Sequence, residues 1–98
     1  MKLGKVVGTI VATQKSQALE GAKLLVVRDM MPDGALGSGY VVAVDGVGAG
    51  IGEVVLTVAG SSARITPGTH DAPVDATIIA IVDTIEADGR ISYRKSGD

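Results

Sequence analysis

The sequence predicts an all-β fold, a small closed β-barrel or sandwich that assembles with copies of itself. Two observations carry the fold class. Short apolar runs rich in Val and Ile alternate with turn signals built from Gly, Pro, Asp and Ser, and no stretch has the spacing of a long helix. A third observation carries the assembly: several of the runs are apolar at every position rather than at alternate ones.

Lys2 to Thr13 (KLGKVVGTIVAT) reads as a long strand, with Gly4 and Gly8 as bend or bulge points. Gln14 to Gly21 is polar, ends in glycine and reads as a loop. Ala22 to Met30 is a second strand around Leu24-Leu25-Val26-Val27. Met31-Pro32-Asp33-Gly34 carries turn chemistry, and its loop is expected to continue through Gly39, so that a third strand spans Tyr40 to Asp45. A glycine-rich loop comes next, and then a fourth strand from Glu53 to Ala59. Gly60-Ser61-Ser62-Ala63-Arg64 can start one helical turn, because a serine side chain accepts from orphan amides; at most one short helix is expected. Thr66 to Pro73 holds two prolines and a glycine and reads as irregular loop. Val74 to Ile85 is the longest apolar strand. Glu86-Ala87-Asp88-Gly89 is a hairpin turn of the Asp-Gly kind, returning through Arg90 to Arg94. No repeat, linker or low-complexity tract interrupts this order, and residues 1–98 are expected to form a single domain.

In a half-buried strand successive side chains point to opposite faces, so apolar and polar residues should alternate. Leu24-Leu25-Val26-Val27, Val41-Val42-Ala43-Val44, Val54-Val55-Leu56 and Ile78-Ile79-Ala80-Ile81-Val82 do not alternate. One face of each can fill a barrel. The other needs a cover, and with no helices to supply it the expected cover is another copy of the chain.

Composition excludes several functions. The chain has no cysteine, which removes disulfides, thiolate metal sites and a Cys nucleophile. Met1-Lys2-Leu3-Gly4-Lys5 is not the start of a signal peptide and no apolar run reaches the ~18 residues of a membrane span, so a soluble, cytoplasmic protein without membrane partner is expected. Nine basic and eleven acidic residues give a net charge of −2, with the basic residues scattered. With no Phe or Trp and only Tyr40 and Tyr93, the chain lacks both the basic footprint and the stacking platforms of a nucleic-acid binder.

The stretch VDGVGAGIGEVVL, Val44 to Leu56, raises the question of a phosphate site. A dinucleotide fingerprint needs G-x-G-x-x-G ahead of a helix, and a P-loop needs a final Gly-Lys-Ser/Thr. Here the spacing is G-x-G-x-G-x-G, Ile51 stands where the third glycine belongs, Glu53 brings negative charge, and Val54 to Val58 is strand-like. The glycines read instead as a sharp turn or a close approach to another backbone. Other candidate chemistry is sparse. His70 beside Asp71 does not make a metal site, Asp75 and Asp83 sit too far apart for paired acid and base work, and Ser61 and Ser62 lack an evident base. No enzyme activity, cofactor or metal is expected.

GKVVGTIVATQK, LEGAKLLVV, AVDGVGAGIGEVVL, GSSAR and PVDATIIAIVDTIE occur in an order and spacing that resemble the EutN/CcmL family, the pentameric vertex proteins of bacterial microcompartment shells. The resemblance runs from Met1 to about Lys95. Its most specific parts are V-G-A-G-x-G-E, G-S-S-A-R within ten residues of it, and P-V-D-A. It implies an OB-like barrel, five copies in a ring around a central pore, and a place at the five-fold corners of a shell whose facets are tiled by other, hexameric and trimeric, shell proteins. Many members carry Asn, Trp and Gln where this chain has Gly46, Val54 and Ile65.

The resemblance also places the expected subunit-interface or pore residues: Gly48, Ala49, Gly50, Gly52, Glu53, Ser61, Ser62 and Arg64, with Glu53 and Arg64 as a candidate ion pair. Two other readings predict different behaviour. An OB-like binding module for a small ligand or nucleic acid would be a monomer with salt-dependent binding, and a small enzyme would show turnover and a pocket of convergent polar groups.

Overall fold

The computed structural model describes residues 1–13, 17–19, 21–59 and 75–95. Among them are seven strands and one 3-10 turn at Gln17–Leu19. Strands β1 (Lys2–Ile10), β2 (Leu24–Met30), β3 (Leu36–Asp45), β4 (Val54–Ala59) and β5 (Ala76–Ile81) close a barrel in the order β1-β2-β3-β5-β4. Its pairings are antiparallel except for a short parallel contact between β3 and β5, where Val44 faces Thr77 and Asp45 faces Ile78. Strands β6 (Thr84–Ala87) and β7 (Arg90–Arg94) form a separate hairpin. Its turn is Asp88-Gly89, with φ of 54° and 74°, the two positive values that a type I′ turn requires.

Alternation decides what fills the barrel. Val6 on β1, Leu25 and Val27 on β2, Ala43 on β3, Val55 on β4, and Ala76 and Ile78 on β5 point inward and make one core with Ala49. Gly4 faces the same interior, and a Cβ there would run into Cγ1 of Val27, so the position is glycine for want of space. The other expected bend point is a bulge: the β1–β2 register passes from Val6 opposite Val27 to Gly8 opposite Val26, leaving Val7 unpaired.

The outward side of β1, β2 and β3 carries the residues that the two-faced runs left over. Gly8, Val26 and Val42 lie side by side across the three strands, as do Lys5, Arg28 and Tyr40. Val42 is 48% exposed, Val7 40% and Ile10 41%. The Arg28 guanidinium lies over the Tyr40 ring, 5.8 Å from its centre, and its Nε donates to the Gly37 carbonyl at 2.7 Å.

Several elements differ from expectation: β1 ends at Ile10 rather than Thr13, β2 begins at Leu24 rather than Ala22, and Glu86-Ala87, expected within the hairpin turn, close β6. β3 begins at Leu36, four positions before Tyr40, because Gly37 and Gly39 are not loop residues: the Asp29 side chain of β2 lies across both, and a Cβ at Gly39 would collide with its carboxylate. The apolar run expected as one strand from Val74 to Ile85 is two strands. It leaves the barrel at Val82-Asp83, where the Val82 amide donates to the Val54 carbonyl and the Asp83 carbonyl accepts from the Lys95 amide, both at 2.8 Å. Val74 itself, the expected helical turn at 60–64 and the loop from Thr66 to Pro73 lie outside the described residues.

Candidate functional site

The glycine loop connects the end of β3 to β4, and Asp45 sets its shape. Oδ1 of Asp45 accepts from three successive amides, those of Val47 and Gly48 at 3.0 Å and Ala49 at 3.2 Å. The side chain is 2% exposed. Lys23, just before β2, reaches over the loop from outside; its Nζ donates to the Ala49 carbonyl at 3.0 Å and lies 3.8 Å from Oδ2 of Asp45. Ala49 is fully buried, so the loop is pinned to the core at its middle.

The second half of the loop is organised by Glu53. Its Oε1 accepts from the Gly50 amide at 2.7 Å, and its Oε2 is 3.0 Å from Nζ of Lys95, just beyond β7. Backbone bonds from the Gly52 amide to the Val6 carbonyl and from the Val6 amide to the Glu53 carbonyl tie this half to β1. The hydrogen bond from Lys95 and then that from Gly50 hold the Glu53 carboxyl below its ordinary value of 4.5, with Asp45 opposing. Glu53 in turn holds the Lys95 ammonium above 10.5. The lowered group stabilises the fold above the carboxylate range and loses that contribution as pH falls through its folded value; the raised one stabilises below 10.5 and loses it as pH rises. The pair therefore acts across neutral pH and fails at both extremes.

This geometry answers the phosphate question. An anion site needs free amides that converge on one point, and the amides of Val47, Gly48, Ala49 and Gly50 are already spent on two carboxylates of the chain itself. Among the described residues no group of three His, Cys, Asp or Glu side chains is placed to hold a metal ion.

The structure brings together Gly48, Ala49, Gly50, Gly52 and Glu53. Gly48 and Gly52 have φ of 80° and 91°, which explains their identity without any close contact: a Cβ on either would meet nothing within 4 Å among the described residues. Gly50 has neither reason, since its φ is ordinary and, among the described residues, a Cβ would meet only Oε1 of Glu53 at 3.5 Å. Ser61, Ser62 and Arg64, and with them the expected Glu53–Arg64 pair, lie outside the described residues, as does His70. Among the described residues the charged partner of Glu53 is Lys95. Sequence reading passed over Asp45, Lys23 and Lys95; Ile51, noted there only for its place in the glycine spacing, is a 66% exposed apolar side chain at the turn of the loop. An aspartate opening a glycine loop was the available signal for Asp45.

Residues 1–83 match the family model described as "Ethanolamine utilisation protein EutN/carboxysome". The chain is 48% identical over 90 residues to the bacterial microcompartment shell vertex protein GrpN of Rhodospirillum rubrum, covering 88% of this chain and 97% of that one. The solved structure of the GrpN pentameric microcompartment shell protein superposes with a TM-score of 0.81 at 46% identity, covering 89% of this chain and 99% of the other. The carboxysome shell vertex protein CcmL of Gloeobacter violaceus is 43% identical over 95 residues, covering 97% of this chain and 95% of its own. Its structure has a TM-score of 0.92 and covers 98% of this chain and 99% of that one.

Proposed function

The chain belongs to the EutN/CcmL family, and from that membership we propose that it is a structural shell protein, five copies of which close into a ring that caps a five-fold vertex of a bacterial microcompartment. A layer tiled by six-fold units is flat and does not close by itself; a five-fold unit removes one sector and turns the layer into a corner. The protein works by shape, and no catalytic step is assigned to it. Its partners are four further copies of itself and the hexameric and trimeric shell proteins of the facets, and its place is the shell.

The observation that carries this reading is the outward face of β1, β2 and β3, where Val7, Ile10 and Val42 stand in water in the isolated chain. A ring contact is heterologous, so each subunit presents this face to a different surface of its neighbour. At about 25 cal/mol per Å² of apolar surface, a few hundred Å² covered per contact yields several kcal/mol before the cost of association. The pentameric state of the similar GrpN structure supports the same count.

Residues 1–98 form one vertex domain in this reading. Gly48, Gly50, Gly52 and Glu53, with Ala49 anchoring them, belong to the subunit interface or the pore, together with Ser61, Ser62 and Arg64. Native mass spectrometry of the purified protein over a range of concentrations tests the reading: five times 9.9 kDa is expected, and mixing with hexameric shell proteins should give closed particles. A monomer at every concentration would return the chain to the binding-module reading.

Gly50 tests the interface assignment. Because its backbone is unstrained and a Cβ has room within the chain, Gly50→Val should leave the thermal unfolding of the isolated chain within a few degrees while the pentamer dissociates. An intact ring in the variant removes the loop from the interface.

A further inference from the structure

Glu53 joins two parts of the molecule that share no strand pairing. The glycine loop belongs to the barrel; the β6–β7 hairpin pairs, among the described residues, only with itself. A lone two-stranded hairpin is marginal in water. Ile85 is its buried apolar side chain, at 8% exposure, while Ile91 is exposed. Among the described residues two side-chain anchors fasten the hairpin to the rest: Ser92 Oγ donates to the Pro32 carbonyl at 2.6 Å, and Lys95 Nζ meets Oε2 of Glu53 at 3.0 Å. The same Glu53 carboxylate holds the loop, through Oε1 and the Gly50 amide.

We propose that Glu53 is a positioning residue that couples the hairpin to the glycine loop, so that both hold their ring-forming shape before the subunits meet. The proposal rests on the ring reading above. An assembly whose loop and hairpin must be ordered on contact loses affinity, and one carboxylate that orders both in the free subunit removes that cost. Among the described residues the charges that face the pair are few. Asp45 lies on the loop side of Glu53, and Asp83 and the Tyr93 hydroxyl lie beside Lys95. Asp45 is itself held by Lys23 and three amides, so among the described residues Lys95 is the cation that answers Glu53.

Glu53→Gln keeps an oxygen for the Gly50 amide and removes the charge, whereas Lys95→Met leaves the loop cap intact and frees the hairpin. Both are expected to fold, with circular dichroism unchanged. Native mass spectrometry on dilution should show weaker rings. A loss of about twofold per subunit, the scale of a partly exposed ion pair, compounds over five subunits to about thirtyfold. The double variant should be no weaker than the stronger-acting single one. Hydrogen exchange should quicken in both 46–52 and 84–94 in either single variant. Lowering the pH through the Glu53 range should loosen the wild-type ring more than the Glu53→Gln ring. Rings that resist dilution as the wild type does, or exchange that changes only on the mutated side, would overturn the coupling. A wild type without pentamers at neutral pH defeats the ring reading instead, and the exchange experiment still decides the coupling.

Discussion

Replacing Asp45 by alanine is expected to lower the unfolding free energy by about 2–3 kcal/mol, a large part of the roughly 5–15 kcal/mol typical of a small domain. The effect comes from what the carboxylate touches. Its Oδ1 takes three amides, of which those of Val47 and Gly48 can turn to water, while the amide of the fully buried Ala49 is left without a partner. Lys23 keeps the Ala49 carbonyl and loses its counter-charge. Asp45→Asn retains an acceptor oxygen and should recover most of the loss. Urea denaturation of both variants measures this, and a midpoint for Asp45→Ala equal to that of the wild type would show that the loop does not depend on its cap. Because the cap also sets the path of Gly48 and Gly50, the alanine variant should form rings poorly even where it remains folded.

The largest effect on assembly is expected from Val42→Asp. In the isolated chain Val42 is nearly half exposed, with Val26 beside it on β2, so an aspartate there should change the stability of the subunit by no more than about 0.5 kcal/mol. In the ring the same carboxylate is carried into an apolar contact without a partner, which costs several kcal/mol per interface by desolvation. A folded monomer at concentrations where the wild type is pentameric is the expected outcome, read by native mass spectrometry beside circular dichroism. A variant that still forms rings would assign this face to the neighbouring shell proteins or to solvent. Val27→Asp is the contrasting control: its side chain is 1% exposed inside the barrel, and the change should abolish folding altogether.

The all-β class, the five barrel strands and the Asp88-Gly89 turn were legible because each depends on residues near one another in the chain. β-branched runs favour extended backbone, and a type I′ turn needs two adjacent residues that tolerate positive φ. The need for a second copy was legible as well, since a run such as Leu24-Leu25-Val26-Val27 has apolar side chains on both faces wherever the strand ends up. The five-fold count came from resemblance and from relatives, not from periodicity.

What escaped the sequence has a common cause: the deciding partner is remote in the chain. Gly37 and Gly39 look like loop residues until Asp29 is seen lying across them on the neighbouring strand. Asp83 and Thr84 interrupt the apolar run, but polar residues also occur on the exposed face of an unbroken strand, and the break is set by the remote Val54 carbonyl and Lys95 amide that Val82 and Asp83 meet. Arg64, the charge that motif order suggests for Glu53, lies outside the described residues, whereas Lys95, 42 positions from Glu53 by number, is a partner that closure of the hairpin brings to 3.0 Å and that no local pattern marks. By itself the sequence determined the strand class, the hairpin turn and a leftover apolar face, because local backbone preference and side-chain alternation are properties of neighbours. Only the tertiary structure decided that the glycine loop caps itself on Asp45 and Glu53, because hydrogen-bond partners are chosen by which carboxylates the folded barrel brings to those amides.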